Sequence, residues 1–209
     1  MTRIAFHLAP ALMLAYGVVR LIDGRDGQHG PGPAWTVGHL LFLGSLLLYG
    51  LVIAGLRRRM PVAERGRARR ITAGALTAVA AVGLVTFIRV AVIDIVVGLR
   101  AADAAEKSAL SDRYADVPAV LPQSLYEIGP VLFMLGLTAL LVQYAVVGPR
   151  RGTAAVSAAL LVLAFAGITA DLDLLPAGAA LIWLALFPHT RGQIQSAPAR
   201  RRAEATATA

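Results

Sequence analysis

The chain contains no cysteine in its 209 residues, which excludes structural disulfides, thiolate metal sites and thiol redox chemistry. Charge is also scarce. Only 15% of residues are charged, and Lys107 is the single lysine among abundant arginine and alanine, a usage that fits high-GC bacterial coding. The chain lacks a GxxxxGK[ST] phosphate loop, an HExxH helix, a GxSxG elbow and a repeated DxxD carboxylate set. The active sites built on those motifs are therefore absent, and neither a cofactor nor a bound metal is expected.

What fills the sequence instead is apolar. With 57% hydrophobic residues, the chain carries too much apolar surface for an ordinary soluble domain. The stretch from Ile71 to Val97 is apolar apart from Arg89 and Asp94, and as a helix it outruns a hydrocarbon core of roughly 30 Å. The expected fold is all-α, a polytopic membrane protein with a bundle of six transmembrane helices. The spans fall at about 4–22, 35–56, 71–97, 125–147, 153–170 and 174–187.

Punctuation between the spans supports this division. Residues 23–34 are dense in Gly, Pro and Asp and read as a surface loop, with Trp35 as an interface marker behind them. Glycines 38, 44, 50 and 55, with Ser45, suit close helix packing in the second span. Residues 101–117 are strongly helix-forming and continue the third span's helix above the bilayer or lie on its surface, ended by Pro118 and Pro122. The first span competes with a cleaved signal peptide, but its apolar stretch is long for one. The last two spans compete with a shallow hairpin, because the sixth is short for a full crossing. Residues 1–190 thus make one transmembrane domain, and 191–209 a disordered cytoplasmic tail.

A net charge of +8 would suggest nucleic acid in a soluble protein. Here the arginines cluster between apolar runs without interleaved aromatics, so anionic lipid headgroups are the expected partner, and nucleic acid is not. Arg57, Arg58, Arg59, Arg65, Arg67, Arg69 and Arg70 all precede the third span, against the single acid Glu64. Segments on the amino-terminal side hold 14 of the 20 basic residues and two of the 12 acids. The positive-inside rule then puts both termini in the cytoplasm, an N-in/C-in arrangement in the cytoplasmic membrane.

Once direction is set, depth follows. His39 lies about one turn inside Trp35, and Arg89 lies about 27 Å along its helix from Ile71, with Asp94 beyond it. Glu127 starts the fourth span, and Asp171 and Asp173 flank the last turn. These six share the outer-leaflet level and are the candidate ligand-binding residues. Each also has a structural reading. Arg89 can snorkel, and Asp94 can be solvated or pair with Arg89 or Arg20. Glu127 fits an S-x-x-E capping box with Ser124, and Asp171 and Asp173 fit caps around the last turn, with Asp173 placed as N-cap of the sixth span. His39 is the candidate acid or base, with Asp94, Glu127 or Asp171 as its carboxylate. A serine–histidine pair with Ser45 is weak, because the two point about 240° apart on one helix. The depth mismatch between His7 and His39 argues against joint haem ligation.

Three functions follow. The leading expectation is an outward-facing polar pocket that binds a small or amphiphilic molecule, as a transport component or binding subunit. The second is an intramembrane enzyme acting on a lipid-like substrate through His39. The third is a non-catalytic scaffold or accessory subunit that holds lipid or a protein partner through the arginine segment at 57–70.

Overall fold

The computed structural model describes residues 2–27, 29–60, 66–115, 117, 121–147 and 150–190. Arg65, the breaks expected at Pro61, Pro118 and Gly148 with Pro149, and the tail from 191 lie outside the described residues. In chain order the helices are α1 (Thr2–Asp23), α2 (Pro33–Arg59), α3 (Arg67–Arg100), α4 (Ala104–Ala115), α5 (Gln123–Glu127), α6 (Gly129–Val147), α7 (Arg151–Ala170) and α8 (Leu175–Leu186). No strand occurs among the described residues. Six segments are long and apolar enough to cross a membrane: α1, α2, α3, α6, α7, and the run Leu172–Thr190 that contains α8.

The six long helices form a ring in the order α1, α2, α3, α6, α7, α8, and α8 closes it against α1. Neighbours run antiparallel. On the α1–α2 seam Gly38 faces Tyr16, Gly44 faces Leu12, and the Ser45 hydroxyl donates to the Ala9 carbonyl at 2.8 Å. The glycines of the second span do bring helices close, as their spacing predicts. One end of the bundle carries Asp23, Pro33, Arg100 and Asp171, and is called here the distal end. The other carries Thr2, Arg59, Arg67 and Thr190, and is called the basic end.

The tightest seam joins α3 to α6. A Cβ on Gly136 would stand 2.5 Å from the Ala80 backbone nitrogen, and one on Gly83 would collide with the Phe133 backbone. Gly129 sits against Thr86, whose hydroxyl turns back to the Gly83 carbonyl at 2.7 Å. Small residues let the two backbones touch, so close van der Waals packing holds the seam. This contact also skips over α4 and α5, which leaves both on the distal end.

Several boundaries differ from expectation for local reasons. The fourth span starts at Gly129, not near Leu125, because Pro130 lacks the N–H that would carry α5 into α6. The Ser124–Glu127 capping box does not form. Pro122 precedes α5 without a side-chain cap, and Glu127 is exposed at its end. A related arrangement occurs at α4, where Asp103 Oδ1 accepts from Glu106 N and Glu106 Oε2 accepts from Ala102 N, each at 2.8 Å. This D-x-x-E pair starts a new helix, so α4 does not continue α3. Around the last turn the cap is Asp171, which accepts from Asp173 N at 2.8 Å, and not Asp173. Short 3-10 turns on both sides lengthen α8 to a 19-residue run. It reaches the basic end, where the Trp183 indole meets His7 at 3.3 Å, which a shallow hairpin would not do.

Gly136→Leu is expected to force α3 and α6 apart and to cost about 1–3 kcal/mol, a typical overpacking penalty. Gly74→Ala, with nothing within 4 Å of the new Cβ, should be neutral. Unfolding midpoints in detergent compare the two, and equal midpoints would show that the seam is not close-packed.

Candidate functional site

Within the ring lies a cavity of about 200 Å3, lined by side chains from all six long helices. Its lining repeats at seven-residue intervals: Phe42 with Tyr49 on α2, Phe87 with Asp94 on α3, Leu175 with Ile182 on α8. Seven residues of helix rise about 10.5 Å, which sets the cavity's approximate length along the bundle. Its floor is closed, with Tyr49 1% and Ile182 2% exposed. The exposed part of the lining is distal, where Leu172 is 50% exposed and the Asp94 side chain 24%.

Aromatic rings dominate the lining. Four of the six phenylalanines, Phe42, Phe87, Phe133 and Phe165, face the cavity, together with Tyr16 and Tyr49. All but Phe165 belong to a ladder that begins at the distal end with Trp35 on His39 at 4.2 Å and His39 on Tyr16 at 5.3 Å. It continues from Tyr16 to Phe42 at 4.8 Å, Phe42 to Phe87 at 5.2 Å, Phe87 to Phe133 at 6.1 Å and Phe133 to Tyr49 at 5.4 Å. These separations suit offset and edge-to-face contacts. The Tyr49 hydroxyl is enclosed and has no hydrogen-bond partner among the described residues.

The polar end is built around a histidine and a carboxylate. His39, 5% exposed, brings Nδ1 to 2.8 Å from the Trp35 carbonyl and Nε2 to 3.5 Å from Asp94 Oδ2. A carbonyl can only accept, so Nδ1 carries hydrogen and Nε2 is the nitrogen that faces Asp94. The Trp35 indole donates to the Asp94 backbone carbonyl at 2.8 Å and packs over Gly98. That contact holds α2 and α3 in register for the pair. Beside it Tyr16, Arg20, Asp23, His29, Trp35 and His39 line a space of about 10 Å3, large enough for one water. Lys107 reaches in from α4, with Nζ 4.2 Å from the Trp35 ring centroid and a hydrogen bond to the His29 carbonyl.

The other candidate residues lie elsewhere. Arg89 donates to the carbonyls of Tyr114, Ala115 and Val117 at 3.1–3.3 Å and lies over the Tyr126 ring at 4.4 Å. It closes the C-terminal end of α4, where a cation is favoured. Asp171 and Asp173 are exposed around Leu172, which itself turns to the cavity. Of the six residues chosen by depth, the fold joins His39 and Asp94 and leaves Arg89, Glu127, Asp171 and Asp173 apart from that pair. His7 contacts Phe187 and Trp183 at the basic end, far from His39. No group of three or more metal-ligating side chains occurs among the described residues.

The aromatic lining escapes a search for ionisable groups, although the seven-residue spacing of Phe42–Tyr49 and Phe87–Asp94 was a usable signal. A second buried pair, His189 Nε2 with Ser157 Oγ at 3.0 Å, joins residues distant in sequence at the basic end. Nothing local in the chain announces it. No protein-family model, curated protein or solved structure matches the chain.

If His39 and Asp94 interact directly, a double-mutant cycle of His39→Ala and Asp94→Ala read by unfolding should give a coupling of about 0.5–3 kcal/mol. Additive losses would mean that each residue acts through separate neighbours.

Proposed function

We propose that the chain is a multi-pass protein of the cytoplasmic membrane, with both termini cytoplasmic. Its bundle takes up a small amphiphilic molecule from the outer side, as a transport component or binding subunit. The observation that carries this reading is the aromatic cavity to which every long helix contributes, with the His39–Asp94 pair at its exposed end. Apolar side chains also cover the outside of the bundle, among them Leu47, Val85, Leu135, Val156 and Leu184, each more than half exposed. A soluble bundle would place charge there, whereas lipid accepts such a surface.

In this reading the apolar body of the ligand enters the cavity and its polar group stays near Asp94 and His39. Arg89, Glu127, Asp171 and Asp173 serve the distal scaffold around the opening. At the basic end, Arg57, Arg58, Arg67, Arg69 and Arg70 meet anionic headgroups, while Arg59 packs over Phe6 at 4.5 Å. The His39–Asp94 geometry favours one further reading, an intramembrane enzyme in which Nε2 moves a proton to or from a lipid-like substrate. Under that reading His39→Ala abolishes turnover of lipid extract and leaves binding largely intact.

Native mass spectrometry of gently extracted protein is expected to show a retained small molecule. The mass should vanish in Ile168→Trp, which fills the cavity, and persist in Arg89→Ala. A well-folded wild type carrying only bulk lipid would sink the proposal. Orientation is open to a separate check because the native chain has no cysteine. Ser108→Cys should react with an impermeant maleimide on intact cells, and Arg58→Cys only after permeabilisation. The reverse pattern would invert the topology.

A further inference from the structure

The cavity restricts what it can hold by size, by lining and by one hydrogen bond left unmade. An apolar cavity of about 150 Å3 lined by Leu, Ile and Phe stays dry and binds benzene. At about 200 Å3, this one has room for a single ring with small substituents, and its open distal side leaves a path for a longer chain attached to that ring. Six aromatic side chains line it, five of them in offset and edge-to-face contact with one another. Flat π faces and ring edges favour a planar guest over a branched aliphatic one.

Tyr49 decides the polarity of that guest. Its side chain is 1% exposed, lines the cavity, and its hydroxyl has no partner among the described residues. A buried hydroxyl left unpaired costs about 1–3 kcal/mol; this one is enclosed at the cavity floor, and a ligand oxygen that accepts from it after a small shift of the ring recovers that cost. An alkyl chain offers no acceptor there. At the opposite end, His39 Nε2 and Asp94 Oδ2 stand 3.5 Å apart, so a second polar atom on the ligand meets an imidazole nitrogen and a carboxylate there.

We infer that the cavity recognises a planar ring carrying a carbonyl oxygen, the chemistry of a quinone head group, with the carbonyl accepting from Tyr49. This deepens the proposed function and rests on it, since it names the ligand class of the same cavity. The inference concerns binding alone and assigns no electron transfer.

The test is equilibrium dialysis of the full chain in lipid nanodiscs against empty discs, with duroquinone and its hydrocarbon counterpart durene as probes. Wild type is expected to retain duroquinone at least about tenfold more tightly than durene, in line with one recovered hydrogen bond. Tyr49→Phe should keep the ring and the fold, lower duroquinone affinity about tenfold, and leave durene unchanged. Ile168→Trp should exclude both. Equal retention of the two probes, or a duroquinone preference that survives Tyr49→Phe, overturns the inference and leaves a general apolar cavity standing. Failure of folded wild type to retain either probe above empty discs overturns the cavity reading as well. Trp fluorescence and the unfolding midpoint establish that each variant is folded, so that a lost signal reports binding.

Discussion

The architecture depends on α8 closing the ring against α1. A Cβ on Gly17 would stand 2.7 Å from Leu175 Cδ2 and 2.8 Å from the Pro176 nitrogen, so the two helices touch at the distal end with almost nothing between them. The seam continues to Trp183 on His7 at the basic end. Without that closure the interior of the ring would open to the surroundings between α1 and α8. With it, six mainly apolar faces turn inward and enclose a space that no pair of them could make. Small residues make the seams, and large aromatic residues make the interior. This division of labour puts tight packing at the walls and free volume at the centre.

Hydropathy was enough to locate the spans, because a helix in lipid must satisfy its own backbone and so shows itself as a long apolar run. Ends were harder to place. The fourth span was expected from Leu125 because Ser124 and Glu127 resemble a capping box, yet Pro130 decides the matter by removing a backbone donor. The actual cap–partner pair, Asp103 with Glu106, was hidden within a segment of strong helix formers. Depth arguments brought His39 and Asp94 to the same level, and the fold joins them across two helices. The same arguments gave no azimuth. Arg89 is five residues from Asp94, about 140° round the helix by its geometry, and so belongs to a different neighbourhood.

Ionisable residues were the obvious markers of function, since their cost in lipid is high. In the folded chain many of them instead hold the distal end together. Arg89 takes carbonyls, Asp171 takes an amide and Glu106 takes another. The cavity below is made by residues that look ordinary in any membrane helix. Phe133, Phe165 and Tyr49 acquire meaning only once six helices place them around one volume.

The attachment of α4 has a mechanical consequence. Its C-terminal carbonyls are held by Arg89 of α3, and its Lys107 rests on Trp35 of α2. The short helix therefore straddles the seam between two spans like a strap bolted to both. Any change in the angle between α2 and α3 must shear one of those attachments or carry α4 with it. The same seam holds His39 against Asp94, so the strap and the histidine–carboxylate pair report the same displacement, one at the surface and the other inside the bundle.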